Sequence, residues 1–396
     1  MKKILVLNAG SSSLKYQLIQ MPSKEVIAKG MVEKIGAKDA GLIYTTAAIR
    51  IDECAEILDH AQGLQWVAEQ LMHQAHGVIA DVTEIAAVGH RVVHGGSSFS
   101  DTTLINQAVK DKIKQLYPLA PLHNPPNMMG IEIAEQLFTG VPQVAVFDTA
   151  FYQSLEEKVY RFAIDKELAD KEQIRVYGFH GTSHKYVSEK TASYLSNPNA
   201  KLIVLHLGNG CSATAVSAGK SVEHSMGFGP INGLIMGTRS GDIDPAVLIY
   251  LQQSLGYSAE EVKTLLTKNS GMQGLAGASD LREIHKMADA GNSNATLALA
   301  MNAHRIKKYI GSFYAVLNGI DALVFTAGIG ENDWKLRQLV CENLERLGIE
   351  LDVQKNKAGG SGILELQTRE SKVKLLVVPT DEEVEIALQS YQLITN

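Results

Sequence analysis

The chain has 396 residues, too many for one ordinary hydrophobic core, and so predicts two domains. A formal net charge of -6 argues against a general nucleic-acid or anionic-membrane surface, and no apolar run approaches the ~18 residues of a membrane span. Cys54, Cys211 and Cys341 are odd in number and widely spaced, which fits neither a disulfide framework nor a zinc site. With no cleavable signal recognised before the first strand, we expect a cytoplasmic protein.

Two stretches, about half the chain apart, share one pattern of apolar strand, small polar turn and returning strand. The first covers residues 3–19 and turns at 8–13, and the second covers 201–217 and turns at the Gly-Asn-Gly of 208–210. A turn with two glycines leaves backbone N–H groups bare and lets a phosphate chain approach. Alone, this turn also fits an ordinary glycine-rich hairpin, but the repeat predicts two similar domains that offer phosphate-facing hairpins to a shared cleft.

The rest of the first half is predicted to hold helices and buried strands, in the order helix 55–75, strand 85–88, helices 109–116 and 128–138, and strand 143–147. Arg91 follows the first of these strands between glycines, and Asp148 follows the second. Because α/β folds place ligands at the carboxyl ends of strands, we favour anion binding for Arg91 over a surface salt bridge. Asp148 is either a helix cap or a catalytic residue.

In the second half, apolar periodicity predicts helices 246–255, 259–268, 295–317 and 334–347, strands 322–326 and 375–378, and a last helix to 394. Another helix runs to residue 195, and Thr182 or Ser183 is suited to cap it. His180 stands just before that helix, where it is able to meet a phosphoryl group beside free N–H groups.

The stretch 225–245 has five glycines and almost no regular period, which is typical of a functional loop. Arg239 is its only cation. The structural alternative is that Asp242 and Asp244 hold this arginine in place.

Phosphate-binding turns, loop arginines and carboxylates, with few strong nucleophiles, fit phosphoryl transfer, which depends on positioning and charge neutralisation. Mg²⁺ keeps several waters, so a sparse oxygen set such as Asn8 and Glu382 is sufficient. A P-loop is excluded because Thr214 stands where that motif needs glycine. A dinucleotide fingerprint is excluded because the segment after Gly208 does not read as a helix.

Ten short motifs follow one another between residues 3 and 383: LNAGSSSLKY, GHRVVHGG, PLHNPPN, FDTAF, GFHGTSH, HLGNG, MGTRSGDIDP, Asp-Leu-Arg at 280, TAGIGEN and PTDEE. Each is weak alone, but the ordered set resembles the acetokinase family of short-chain acyl-phosphate kinases. The resemblance implies an α/β protein with two similar domains of the actin-like ATPase (ribonuclease H-like) type and a nucleotide cleft between them. It also implies reversible, direct in-line transfer of the ATP γ-phosphoryl group to acetate, giving ADP and acetyl phosphate. The implied metal is Mg²⁺, with Mn²⁺ as the alternative.

Residue by residue, the resemblance implies a role for each set of motif positions. The catalytic residues are Asp148, His180 and Arg239, Arg91 binds the carboxylate, and the metal positions are Asn8 and Glu382. The ATP positions are Lys15, His206, Leu207, Gly208, Asn209, Gly210, Asp280, Leu281, Arg282, Gly328, Ile329, Gly330, Glu331 and Asn332. The acyl pocket is expected to be walled by residues within or beside the motifs, namely Val93, Leu122, Phe179 and Pro230.

Elementary acid–base chemistry qualifies one of these roles. A small carboxylic acid has a pKa near ~4–5, so at pH 7 it is already the nucleophilic anion and needs no base. We therefore expect Asp148 to orient Mg²⁺ or the γ-phosphate. Asp381 stands where the family motif has asparagine, and it places an extra acid near the metal.

Two alternatives stay open. A propionate or butyrate kinase would share the motifs, and although the bulk of Val93 favours acetate, one methylene is worth only about 1–3 kcal/mol. An actin-like filament or chaperone ATPase would share the hairpins but has no need of Arg91 and Arg239.

The expected domains are 1–150, joined by a C-terminal helix 384–396, and 151–383, which binds nucleotide and dimerises. The expected partners are acetate, ATP and a second copy of the chain, with no nucleic acid and no membrane.

Overall fold

The computed structural model describes residues 1–395, so Asn396, at the end of the helix predicted over 384–396, lies outside the described residues. The strands are β1 (Lys2–Ala9), β2 (Ser13–Met21), β3 (Glu25–Glu33), β4 (Ala40–Thr46), β5 (Arg50–Ala55), β6 (Ile85–Val92), β7 (Thr103–Leu104), β8 (Gln143–Phe147), β9 (Lys201–Leu207), β10 (Cys211–Ser217), β11 (Lys220–His224), β12 (Ala322–Thr326), β13 (Leu364–Glu365) and β14 (Lys374–Val377).

The α-helices are α1 (His60–Leu71), α2 (Gln107–Gln115), α3 (Asn124–Leu137), α4 (Glu157–Tyr160), α5 (Lys166–Lys171), α6 (Gly181–Tyr194), α7 (Pro245–Gln253), α8 (Ala259–Lys268), α9 (Gly271–Ala276), α10 (Leu281–Asp289), α11 (Ser293–Leu317), α12 (Ala327–Asn332), α13 (Trp334–Cys341), α14 (Val353–Ala358) and α15 (Glu382–Leu393). Short 3₁₀ helices occupy Val82–Glu84, Ala150–Ser154 and Glu345–Leu347. Within residues 1–395, no helix has both the length and the hydropathy needed to cross a bilayer.

The chain folds into two compact units, one of residues 1–153 together with the C-terminal residues from 381 onward, and one of Ser154–Thr380. The sheet of the first unit has the order β5-β4-β3-β2-β1-β6-β8-β7. Strands β1 to β5 form an antiparallel meander, and β1, β6 and β8 run parallel. Helices α3 and α15 pack on β1 and β6.

The second unit repeats this plan. Its sheet has the order β11-β10-β9-β12-β14-β13, with β9 to β11 antiparallel and β9, β12 and β14 parallel. Thus β3-β2-β1-β6-β8 and β11-β10-β9-β12-β14 have the same order and the same directions. The predicted α/β fold, with two similar halves whose sheets each contain a hairpin followed by parallel strands, is confirmed.

Buried parallel strands account for the near-continuous apolar runs in the sequence. All five residues of β8 and all five of β12 are buried, which is expected where helices cover both faces of a sheet.

Several predicted boundaries were wrong for identifiable reasons. The helix predicted from residue 55 begins only at His60, because 50–55 form an edge strand and Asp59 caps α1 through Gln62 N. The helix predicted from 128 begins at Asn124, since two prolines occupy its first turn, where a missing N–H is tolerated. The helix predicted over 334–347 ends at Cys341, two residues before Asn343 adopts a left-handed φ of 59°.

Candidate active site

The register of the first sheet brings three predicted residues to one edge. Leu7 in β1 is level with His90 in β6, so Asn8 and Arg91 follow at the same height. Arg91 is in turn level with Val146 in β8, and the N–H of Asp148 donates to Val92 O over 3.0 Å. Because the three strands are parallel, their carboxyl ends meet at one edge of the sheet. The strand predicted over 85–88 extends to Val92, so Arg91 lies within it.

Arg91 is the centre of a charged group at this edge. Its Nη2 donates to Oδ2 of Asp148, whose side chain is 1% exposed, and its Nε lies 3.8 Å from Oε2 of Glu382, at the start of α15. Arg91 Nε is buried, and among residues 1–395 it has no hydrogen-bond partner. One guanidinium N–H is therefore available to an acceptor that approaches this edge.

The electrostatics of this group favour an additional cation. Burial raises the pKa of Glu382 to about 7; Arg91 opposes the rise, and the nearby charges of Asp148 and Glu383 add to it. Burial alone would lower the pKa of Arg91, but Asp148 and Glu382 outweigh it and raise that pKa above its ordinary value. Carboxylates thus outnumber the guanidinium, and a bound cation would relieve their mutual repulsion.

Two buried asparagines that the sequence analysis did not assign hold the loop after β6. Asn124 Oδ1 accepts from the N–H of His94 over 3.0 Å, and its Nδ2 donates to His94 O over 2.9 Å. Asn127 Oδ1 accepts from the N–H of Val93 over 3.0 Å, and its Nδ2 donates to Ala9 O over 2.7 Å. Both asparagines belong to the PLHNPPN motif at the start of α3, so the signal was present as a motif, although neither residue was given a role.

The remaining first-unit candidates differ in their surroundings. Lys15 is exposed on β2, directly across from Asn8 on β1, and its charge acts on Glu382. Val93 is buried, whereas Leu122 is 63% exposed. Asp381 caps α15 by accepting from Val384 N over 3.0 Å, a role that asparagine performs equally well.

In the second unit, His180 is held at the start of α6. It is itself the N-cap residue, with a left-handed φ of 58°, so the prediction that Thr182 or Ser183 caps this helix was wrong. Its Nδ1 lies 2.9 Å from Ser212 Oγ, and its ring stacks on that of His206 with centroids 4.3 Å apart. A Cβ added to Gly210 would lie 3.3 Å from His180 Nε2, so this nitrogen faces the Gly-Asn-Gly turn.

The loop that carries Arg239 is bonded to the same turn. Gly237 N–H donates to Asn209 O over 3.0 Å, and a Cβ on Gly237 would collide with the Asn209 side chain at 2.0 Å. Arg239 Nη1 donates to the carbonyl oxygen of Pro230 over 2.9 Å, and burial lowers the pKa of the guanidinium. His180, Arg239 and the turn 208–210 therefore occupy one region of the second unit.

The acids predicted as alternative partners of Arg239 bind elsewhere. Asp242 accepts from Gly233 N and from the hydroxyl of Tyr309, both over 2.8 Å, and lies 3.7 Å from Arg305 Nη1. Asp244 caps α7 through Ala246 N. The loop is thus anchored to α11, and Arg239 is not neutralised by either aspartate.

A cavity of about 860 Å³ adjoins the turn and accounts for many predicted ATP positions. Its lining includes eight of them: Gly208, Asn209, Asp280, Leu281, Arg282, Gly328, Ile329 and Asn332. Five lining residues were not predicted: Ser279, His285, Asp333, Trp334 and Lys335. The unpredicted residues lie beside the Asp-Leu-Arg and TAGIGEN motifs, and His285 Nε2 contacts Asp333 Oδ2 at 2.8 Å.

Five predicted ATP positions of the second unit are not among the residues that line the cavity. His206 Nδ1 bonds to Ser183 Oγ at 2.8 Å, Gly330 packs close to the backbone of Phe325, and Glu331 accepts from Thr380 N over 3.2 Å. Leu207 is buried at the end of β9, and Gly210 faces His180. Phe179, a predicted wall of the acyl pocket, is buried, and its N–H donates to His224 Nε2 over 3.2 Å.

Comparison with known proteins assigns the chain to a family. The sequence profile of the Acetokinase family matches residues 3–388. The chain belongs to the acetokinase family. The resemblance drawn from the ordered motifs is thereby confirmed, and so is the class of enzyme, a phosphotransferase of the kinase type with a carboxyl acceptor.

Members and structures of this family match the chain over its full length. An acetate kinase of Flavobacterium johnsoniae is 54% identical and aligns over 100% of both chains. The crystal structure of Porphyromonas gingivalis acetate kinase superposes with a TM-score of 0.95 at 42% identity, covering 100% of both chains. A propionate kinase from Francisella tularensis reaches 0.92, also at 42% identity, over 98% of this chain and 99% of that one.

Proposed function

We propose that this chain transfers the γ-phosphoryl group of ATP reversibly to acetate, giving acetyl phosphate and ADP. One observation carries the choice of a carboxylate as acceptor. The Nε–H of Arg91 is buried without a hydrogen-bond partner among residues 1–395, beside the buried side chain of Val93 in the sequence. A small anion with a short apolar tail suits a buried cationic N–H donor.

The proposed roles follow from the charge that each residue meets. Arg91 binds the acetate carboxylate, and Asp148 holds the guanidinium in place through Nη2. A carboxylate oxygen attacks the γ-phosphorus, the bond from that phosphorus to the β–γ bridging oxygen breaks, and ADP leaves. Acetate is ionised at pH 7, so no residue has to take a proton.

Arg239 and His180 serve the transferring group in this proposal. As the phosphoryl group passes between the two oxygens, its charge spreads over three equatorial oxygens, which these side chains neutralise. The N–H of Gly208 already donates to Gly210 O over 3.1 Å, so the N–H groups of Asn209 and Gly210 are the ones that support the phosphate chain in this proposal. The cavity of about 860 Å³ next to the turn receives the nucleoside.

The residues present fit a magnesium ion. Among residues 1–395 there is no cluster of three or more His, Cys, Asp or Glu ligands, whereas Mg²⁺ needs only one or two protein oxygens. Glu382 and the amide of Asn8 would supply them, and a cation beside Glu382 would favour the ionised form of this carboxyl group, whose pKa is raised mainly by burial. A bound Mg²⁺, or Mn²⁺, would neutralise phosphate oxygens during transfer. Asp148 would orient the ion or the γ-phosphate.

The choice of acetate as the acyl substrate has one specific alternative, which is propionate. The propionate kinase structure superposes nearly as well as the acetate kinase structure and has the same identity. We assign Val93, Leu122, Phe179 and Pro230 to the acyl pocket. A hydroxamate assay of acetate, propionate and butyrate at equal concentrations tests the assignment. We expect acetate to have the highest kcat/KM; a higher value for propionate would replace acetate as the substrate.

The proposal extends to a homodimer, a cytoplasmic location and the domain limits 1–150, joined by the C-terminal helix 384–396, and 151–383. Helix α7 supports the dimer, because none of its described residues is buried and Ile249 and Tyr250 are more than half exposed. Light scattering should give twice the mass of the chain, and Ile249→Glu should reduce it to one copy. The three cysteines are free thiols, which suits a reducing compartment.

A further inference from the structure

Four histidines of the second unit form a connected cluster behind the Gly-Asn-Gly turn. The rings of His180 and His206 stack, and the centroids of His184 and His224 are 5.6 Å apart. Hydroxyl groups contact each of them: Ser212 contacts His180 and His184, Ser183 contacts His206, and Thr214 contacts His224. Of these histidines, His180 is assigned to the transferring phosphoryl group and His206 is a predicted ATP position, whereas His184 and His224 have no role in the reaction.

Ser212 links two rings at once. Its side chain is fully buried, and its Oγ lies 2.9 Å from His180 Nδ1 and 2.8 Å from His184 Nε2. A hydroxyl group has a single hydrogen and two lone pairs, so it donates to at most one of these nitrogens. If the nitrogen of one imidazole accepts from Ser212, the nitrogen of the other must therefore carry a hydrogen.

The direction of the hydrogen bonds from His184 through Ser212 to His180 determines whether Nε2 of His180 carries a hydrogen. Because Nδ1 is engaged by Ser212, the nitrogen that faces the turn is Nε2. A phosphoryl oxygen is an acceptor, so Nε2 must carry a hydrogen in order to bind it. In a neutral ring that condition requires Nδ1 to be an acceptor, with the Ser212 hydroxyl as its donor.

We propose that Ser212 is a positioning residue, which accepts from His184 Nε2 and donates to His180 Nδ1, and so keeps the hydrogen of His180 on the nitrogen that meets the phosphoryl group. The assignment rests on the proposed role of His180 in phosphoryl transfer. It gives His184, which has no place in the reaction itself, a defined task as the origin of the hydrogen-bond chain.

The surroundings support this direction. His184 is fully buried, which lowers its pKa well below the ordinary value, so its ring stays neutral and carries one N–H. His224 provides a parallel, because its Nε2 accepts the backbone N–H of Phe179 and its Nδ1, which then carries the hydrogen of the neutral ring, lies 2.8 Å from Thr214 Oγ1. The same strand thus carries two hydroxyl–imidazole pairs, at positions 212 and 214, of which only the first reaches His180.

The wild-type protein gives the direct test. A long-range ¹H–¹⁵N spectrum of protein labelled in its histidine rings, assigned with His180→Asn, reports which ring nitrogen of His180 carries the hydrogen. We expect the Nε2–H form with Nδ1 as acceptor. An Nδ1–H form would overturn the proposal, and this measurement does not depend on any variant folding.

Kinetics of Ser212→Ala supply the second test. We expect kcat to fall about 10- to 100-fold, the loss of one hydrogen bond to a group that stabilises charge, with the KM values for ATP and acetate within about threefold. Ser212→Thr keeps the hydroxyl and should recover most of the rate. The matched control is Thr214→Val, which breaks the parallel pair without touching His180 and should keep the wild-type kcat.

The outcomes separate this proposal from the function on which it rests. An unchanged kcat in folded Ser212→Ala, or an equal loss in Thr214→Val, would overturn the positioning role. If His180→Ala itself retains kcat, the role of His180 in transfer is wrong, and the positioning role that rests on it is overturned even where the ring spectrum shows the Nε2–H form.

Discussion

Arg91 and Asp148 form an ion pair in which the carboxylate is buried and the guanidinium retains one buried N–H without a hydrogen-bond partner among residues 1–395. The aspartate therefore does more than stand at a strand end: it fixes the orientation of the arginine that we assign to the acceptor. Glu382, 3.8 Å from Arg91 Nε, places the start of α15 at the same point. Substitutions at this pair are thus expected to report on substrate binding, metal placement and folding separately.

Arg91→Ala and Arg239→Ala should have opposite kinetic signatures. Arg91 meets a charge that acetate already carries in the ground state, so its loss should raise the KM for acetate about 10- to 100-fold with a smaller change in kcat. Arg239 binds the equatorial oxygens of the phosphoryl group, whose positions and charge become complementary to it only in the transition state. Its loss should therefore lower kcat about 100-fold or more.

Steady-state kinetics at saturating ATP measure both effects. Since Arg91→Ala also deprives the buried Asp148 of its cation, the thermal unfolding of each variant has to be recorded alongside. The double variant Arg91→Ala with Asp148→Asn removes both charges and should recover part of any lost stability. Reversed signatures would mean that the two arginines have exchanged roles.

Asp148→Asn is expected to impair metal placement more than acetate binding. Asparagine retains an oxygen that accepts from Arg91 but loses the charge that acts on Glu382. The defect in kcat should therefore be partly relieved by raising Mg²⁺. The measurement is kcat against free Mg²⁺ at fixed free ATP, and a uniform drop with unchanged Mg²⁺ dependence would contradict it.

His90 should contribute to acid instability of the first unit. It is fully buried against Gln143, and burial lowers its pKa to about 4, with the hydrogen bond to Gln143 opposing the change. Between pH ~6.5 and about 4 the unfolded chain binds a proton that the folded chain does not, so stability falls as the pH falls. Each such group adds a slope of up to about 1.4 kcal/mol per pH unit.

Denaturant unfolding at several pH values between 7 and 4.5 checks this expectation. His90→Asn should be less stable than wild type at pH 7, because a buried contact is lost, but its stability should depend less steeply on pH. Equal slopes in the two proteins would show that His90 is not the titrating group.

Tyr309→Phe should weaken catalysis at a distance, through the loop that holds Arg239. The Tyr309 hydroxyl donates to Asp242, which in turn fixes the loop at Gly233. Removing it loosens the loop, and we expect kcat to fall severalfold with little change in the KM for ATP. Tyr314→Phe on the same helix is the matched control and should behave as wild type. A loss of the same size in both variants would point to α11 in general.

Pattern in the sequence was sufficient for the fold and for placing several candidate residues near the ends of strands. The two hairpins, the buried strands and the residues at their ends, Asn8, Arg91 and Asp148, follow from apolar runs and glycine turns, which depend on neighbouring residues. Parallel pairing then brings distant strand ends together. Sequence motifs also identified the loops around the cavity, because glycine-rich turns after strands are recognisable locally.

What the sequence missed depends on partners far apart in the chain. The hydrogen bond from Asn127 to Ala9 O joins residues 118 positions apart, and the hydrogen bond from Tyr309 to Asp242 joins residues 67 positions apart. A side chain in such a pair has no periodicity that marks it. The structural alternative for Arg239 therefore named Asp242, its near neighbour in the sequence, although in the folded chain Asp242 contacts Arg305 and Tyr309.

Two glycines of the TAGIGEN motif should respond differently to the same substitution. A Cβ added to Gly328 meets nothing within 4 Å, and this residue lines the cavity, so Gly328→Ala places its methyl group in space that we assign to the nucleotide. A Cβ on Gly330 lies 3.4 Å from the backbone of Phe325 and 3.6 Å from Leu205 O, within the packed unit.

We therefore expect Gly328→Ala, and more strongly Gly328→Val, to raise the KM for ATP severalfold while leaving the melting temperature of the free protein close to that of wild type. Gly330→Ala is the matched control: its methyl group would lie in ordinary van der Waals contact with β12 and β9 and outside the cavity, so both the melting temperature and the KM for ATP should stay close to those of wild type. Differential scanning calorimetry of free protein and initial rates at varied ATP separate the two. A raised KM in Gly330→Ala alone would place the nucleotide on the other side of α12.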